Sequence, residues 1–317
     1  MKHALSEALS VILPMPEATL LLRACLDKGT SGKRACEAWL GNQTEPENQV
    51  IGERTKAFLP LLFHAVQTHG IDVPGNLRTI LRTAAWREEL RTRTYRRICR
   101  DIFAVLTGKQ IPVIVLKGAA LAETVYSHPA LRHSHDIEIL VQRYELHDIA
   151  GPLISLGFSP SRKTSRRGSE DLELIHQSGL PLVLHRELFQ IPFYNAAHSD
   201  ICSRAQVAVI SEVPVRVLSP ADALFHTCGH AVYSPSRESF RWIADAWFII
   251  HKHPDLDWDL LVDCARRSHL ALPLSVTRLR WRESHFPCRG GGRHGLPDHR
   301  PDGRGRLLRQ APPSASP

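Results

Sequence analysis

Two segments constrain the fold of this 317-residue chain more than any others. Val113-Ile114-Val115-Leu116 runs into Lys117-Gly118-Ala119-Ala120, and Asp136-Ile137-Glu138-Ile139-Leu140-Val141 follows a short distance later. The first reads as a strand that breaks into a Gly-opened helix, the second as a strand carrying two acids. Alternate side chains of an extended strand share a face, so Asp136 and Glu138 point together while Ile137 and Ile139 face a core. Two carboxylates on one face suit a hard divalent cation, Mg²⁺ or Mn²⁺. The free N–H groups of a helix start, with Lys117 beside Gly118, suit phosphate oxygens. Together the segments predict a seat for a metal-held triphosphate.

The surrounding pattern changes twice. Residues 1–107 read as helical, and Arg87 to Leu106 places Leu90, Ile98, Ile102, Val105 and Leu106 on one stripe, as an amphipathic helix does. Residues 108–218 read as an α/β core: strand 112–116, helix 119–126, strand 136–141, helix 144–156, then a hairpin from Leu172–His176 to Leu182–His185 around Ser178-Gly179. Residues 219–285 are helical again, in segments starting at Ala221, Phe240 and Leu256. Residues 286–317 are dominated by Arg, Gly, Pro and His. Such a composition buries too little apolar surface to fold; it is compatible with a disordered basic tail and with a shifted reading frame.

Composition excludes several classes. No apolar run approaches the roughly 18 residues of a membrane helix, and the N-terminus has no signal-peptide pattern, which predicts a soluble cytoplasmic protein with no membrane partner. The seven cysteines are scattered and never form C-x-x-C, so neither a disulfide framework nor a thiolate zinc site is expected. The formal charge of +8 would raise nucleic acid as a partner, but much of the excess lies in the tail. Loop 162–167 and the Arg91–Arg100 helix would grip a polyanion without sequence preference, and neither shows the repeated aromatic interleaving that base stacking uses. The default for both is a solvated surface.

The residues Leu116-Lys117-Gly118-Ala119-Ala120-Leu121, Tyr126, Pro129, Leu131-Arg132, Asp136-Ile137-Glu138-Ile139-Leu140-Val141 and Leu156-Gly157-Phe158 resemble a nucleotidyltransferase-like family of the DNA polymerase β superfold. Its most specific pattern is K-G…R…D-x-[DE]. Leu184-His185-Arg186, His230, Trp242-Ile243-Ala244-Asp245 and Leu256-Asp257-Trp258 extend the resemblance over residues 55–280. The resemblance implies an α/β (α+β) core with a small mixed sheet between helical flanks. It also implies Mg²⁺-dependent transfer of a nucleotidyl group from an NTP to a hydroxyl or phosphate acceptor that the sequence does not name. In that scheme Asp136 and Glu138 are catalytic and hold the metal. Lys117 and Gly118 seat the triphosphate, Arg132 neutralises phosphate charge, and His185 reaches substrate or metal. For Arg132 the competing reading is an ion pair with a helix end; for His185 it is a packing residue.

One departure from the family pattern supports a rival function. A third carboxylate belongs two positions before His185, where this chain has Val183; Glu173 and Glu187 are the nearest substitutes. Loss of a metal ligand removes transition-state stabilisation while sparing phosphate binding. The alternative is therefore an impaired nucleotidyltransferase-fold module that binds nucleotide or a protein. His226, Cys228 and His230 have partial zinc-ligand spacing but no fourth ligand, and a packed helix is the favoured reading. Oligomeric state is not legible.

Overall fold

The computed structural model describes residues 16–42, 53–141, 146–161, 171–233 and 240–271. The chain divides into residues 1–286 and 287–317, and every described residue belongs to the first unit. Loop 162–167, the basic tail and Cys288 lie outside the described residues. The other six cysteines are buried free thiols.

The described part of the first region is helical as expected: α1 (Pro16–Leu26), α2 (Gly29–Gly41), the single turn α3 (Glu53–Lys56), α4 (Leu59–His69) and α5 (Gly75–Gly108). Gly70 ends α4 in the left-handed conformation, φ 61°, and Pro74 stands immediately before α5. The α/β region then gives β1 (Val113–Val115), α6 (Lys117–Thr124), β2 (Ile137–Val141), α7 (Leu146–Ile154), β3 (Phe158–Pro160), β4 (Leu172–His176) and β5 (Pro181–His185). It closes with α8 (His198–Ser203), β6 (Gln206–Ile210) and β7 (Val213–Val217), followed by α9 (Pro220–Tyr233), α10 (Arg241–Lys252) and α11 (Trp258–Arg267). Among the described residues no helix is long and apolar enough to cross a membrane.

The strands form one mixed seven-stranded sheet in the order β3-β4-β5-β2-β1-β7-β6. β2 runs antiparallel to β1 and parallel to β5, and β1 runs parallel to β7. The sheet is larger than the sequence pattern suggests, because β3 is short and the valine-rich β6 and β7 are joined by an unmarked turn, with Pro214 inside β7. β3 spans three residues and ends in Pro160. The β6–β7 turn puts Ser211 (φ 49°) and Glu212 (φ 72°) in the left-handed region without Gly or Asn, so the usual hairpin signature is absent.

Each sheet face has its own core. On one, Ile137, Ile139, Leu182 and Leu184 pack with Ile102, Phe103 and Leu106 of α5. On the other, Ile114, Leu116 and Leu140 pack with Phe225 of α9 and Cys264 of α11. A third core joins α1, α2, α4 and the start of α5 to Ile243, Ala244 and Trp247 of α10, so the helices before and after the sheet share one interior.

Glu123 on α6 pins three elements. Its carboxylate accepts from Arg96 of α5 at 3.1 and 3.2 Å, and from Ser211 N at 3.0 Å and Ser211 Oγ at 2.8 Å. These bonds answer the polar backbone of a turn whose Ser211 is almost fully buried. Glu123→Ala leaves them unmet, and chemical denaturation is expected to show a loss of about 2 kcal/mol.

Candidate active site

β1 ends at Val115, Leu116 continues the pairing by donating its N–H to Glu138 O at 2.9 Å, and the chain turns into α6 at Lys117. Lys117 makes that turn with φ 40°, a left-handed conformation uncommon for a residue with a side chain. Gly118 then packs against the segment leading into β2. A Cβ there would lie 2.7 Å from Ser134 Oγ and 2.8 Å from Arg132 Nη1, so only glycine fits without displacing them.

Arg132 is held by a buried ion pair. Its Nε and Nη2 donate to the two oxygens of Asp245 on α10 at 2.8 and 2.7 Å, and its Nη1 donates to Ser134 Oγ at 2.8 Å. Tyr126 OH donates to the same Asp245 at 2.8 Å. The guanidinium thus fixes both Gly118 and the entry to β2, and its bonds to Asp245 are those of an ion pair with a helix.

Asp136 stands immediately before β2. Its carbonyl accepts from Tyr95 OH at 2.9 Å, and its carboxylate, 31% exposed, lies 3.6 Å from His135 Nε2. Glu138, two residues on, is 9% exposed, while the flanking Ile137 and Ile139 are fully buried on the opposite face of β2.

Glu138 is the middle of a row of alternating charges. Lys117 Nζ donates to Glu138 Oε1 at 2.6 Å; His185 Nε2 lies 3.4 Å from the same oxygen, and His185 Nδ1 lies 3.2 Å from Asp171 Oδ2. Burial alone would raise the Glu138 pKa, but the Lys117 ammonium and then His185 outweigh it and hold the carboxyl well below its usual range. Burial would likewise lower the His185 pKa; its hydrogen bonds to Asp171 and Glu138 raise it to about 9. At neutral pH Glu138 is therefore an anion and His185 a cation.

Asp171 escaped the sequence reading because it precedes β4 and matches no motif; the one available signal is its position two residues before Glu173, on the same side of an extended chain. Val183 pairs with Glu138 on one side and with Glu173 on the other, so an apolar side chain stands between two acids in the row across the sheet. Glu187 is turned to His198 Nδ1, 2.9 Å away.

His226 and His230 of α9 lie near these charges, their rings 6.3 Å apart. Burial, then the Lys117 ammonium, push His226 well below its ordinary value and His230 down to about 4. Both are neutral imidazoles at neutral pH.

Among the described residues no three His, Cys, Asp or Glu side chains converge as a ready metal cage. Asp136 and Glu138 bring two carboxylates to the start of β2. That donor set fits a Mg²⁺ whose remaining ligands come from phosphate oxygens and water, the usual situation for this ion. Asp136, Glu138, Lys117 and Gly118 are thus brought to one end of β1 and β2, with His185 beside them.

A family described as uncharacterised nucleotidyltransferases matches the chain over residues 53–283. No curated protein matches it. Two solved structures are similar. The antibiotic-resistance factor ANT(2'')-Ia has a TM-score of 0.40 and 12% identity, covering 61% of this chain and 98% of its own. An antigenic nucleotidyltransferase-like protein from Paracoccidioides brasiliensis has a TM-score of 0.35 and 17% identity, covering 56% and 86%.

The charged row makes stability depend on pH. A histidine whose folded pKa lies above its unfolded value of roughly 6.5 stabilises fully below that pH and loses the contribution as pH rises through about 9. Unfolding free energy is expected to fall by on the order of 3 kcal/mol between those limits. In Asp171→Asn the decline should flatten, and NMR of the His185 ring should show its titration midpoint moving down.

Proposed function

The chain belongs to this family of nucleotidyltransferases, and from that premise we propose that it transfers a nucleotidyl group from an NTP to a hydroxyl or phosphate acceptor with Mg²⁺. The observation that carries the reading is the contact of Glu138, on β2, with Lys117 at the glycine-opened start of α6, with Asp136 two residues before Glu138 in sequence. Magnesium bound with the triphosphate would polarise the reacting phosphoryl group and lower the charge on the departing pyrophosphate.

The chain's own residues do the rest. Asp136 and Glu138 hold the metal. The α6 N-terminus and Lys117 seat phosphate oxygens, which requires Lys117 to exchange its bond to Glu138 for one to the nucleotide. Arg132, committed to Asp245, keeps the Gly118 turn closed so that the helix start does not move as charge develops. Asp171 fixes the ring of His185, and His185 in turn fixes Glu138. The fold does not name the acceptor.

A second reading has its own observation. With Val183 opposite Glu138, and Glu138 already neutralised by Lys117 and His185, the same site could bind a nucleotide without turning it over. Pyrophosphate release from each of the four NTPs, with a cell-extract pool of acceptors, separates the two. Transfer predicts magnesium-dependent release that falls about 100-fold or more in Asp136→Ala. NTP binding with no release by the wild-type chain would support the binding module instead.

A further inference from the structure

α5 is 34 residues long and contains eight arginines and no lysine. Its buried side, with Leu77, Leu81, Ile98, Ile102 and Leu106, faces the cores. At about 100° per residue, Arg78, Arg82, Trp86, Arg93, Arg97 and Arg100 fall within an arc of about 100° on the opposite side, with Arg78 at its edge. All six are exposed.

Two properties separate this stripe from an ordinary solvated face. Trp86 is 63% exposed and its neighbour Leu90 64%, an unusual placement for side chains of that size. The Arg82 guanidinium lies over the Trp86 ring at 5.1 Å, which holds the indole against a cation. The stripe is also only partly neutralised. Arg78 pairs with Asp72, Arg93 with Glu89, and Arg100 with Asp101 and Glu212. Among the described residues Arg82 and Arg97 have no carboxylate partner, and they stand about 22 Å apart along the axis.

We infer that this side of α5 is a docking surface for single-stranded nucleic acid, with Trp86 stacking on a base and Arg82 and Arg97 on phosphates. Charge complementarity selects a polyanion. Between polyanions, an acidic protein offers carboxylates but no planar rings, whereas a single strand offers phosphates and base faces together, matching arginine forks beside an open indole. Trp86 lies just before the segment Arg91–Arg100, whose own aromatic residue, Tyr95, is buried with its OH on Asp136 O, so the exposed ring beside these arginines is that of Trp86.

The test uses the full chain, without NTP, and a fluorescent twelve-nucleotide oligo(U) titrated by anisotropy at several salt concentrations. Wild type is expected to bind with a log Kd that rises linearly with log salt. Arg82→Gln with Arg97→Gln should reduce that slope by about 1.4, at about 0.7 per phosphate contact on a single strand. Trp86→Ala should weaken binding at least about 5-fold at every salt concentration, leaving the slope unchanged. All three residues are exposed, so circular dichroism and melting should match wild type. Absence of binding, or binding that both variants retain unchanged, overturns the inference and in the second case moves the contact to other basic segments. A poly-glutamate peptide that displaces the oligonucleotide at equal charge concentration overturns it in favour of an acidic protein partner.

Discussion

A buried guanidinium is tolerated only if its donors meet acceptors, and in this chain that requirement joins the sheet to the helices after it. Arg132 and Asp245 are 113 residues apart in sequence and meet through two hydrogen bonds. The pair, with Tyr126 on the same carboxylate, decides where the chain enters β2 and how closely Gly118 can approach it. Removing one partner would leave the other as an unpaired buried charge, the most expensive kind of loss in a protein interior. The Gly118 turn and the entry to β2 are therefore positioned by this one pair.

Around Glu138 the same physics works by alternation. A single buried carboxylate would be driven to its neutral form, yet Lys117 and His185 keep it charged, and Asp171 keeps His185 charged in turn. The neutral His226 and His230 complete the surroundings without adding charge. Lys117, Glu138, His185 and Asp171 thus stand in contact as a row of opposed charges.

Legibility in the sequence followed how local each signal is. β1, β2 and the β4–β5 hairpin were readable because alternation is a property of neighbouring residues, and the turn at Lys117-Gly118 because glycine marks a close approach. The hairpin at β6 and β7 was not, since Ser211-Glu212 gives no turn signal and depends on Glu123, nearly ninety positions away, to satisfy its backbone. Asp171 was invisible for a similar reason: nothing near it in sequence indicates that His185 will lie across from it.

By itself the sequence determined which faces of the strands are apolar and where the chain bends into α6, because each of these depends on residues a few positions apart. Only the tertiary structure decided the partners of the charges: Asp245 for Arg132, Lys117 and His185 for Glu138, and Asp171 for His185. The reason is that strand alternation and helix periodicity are geometric facts of the local backbone, whereas a buried charge is answered by whichever opposite group the packing of distant elements brings within about 3 Å.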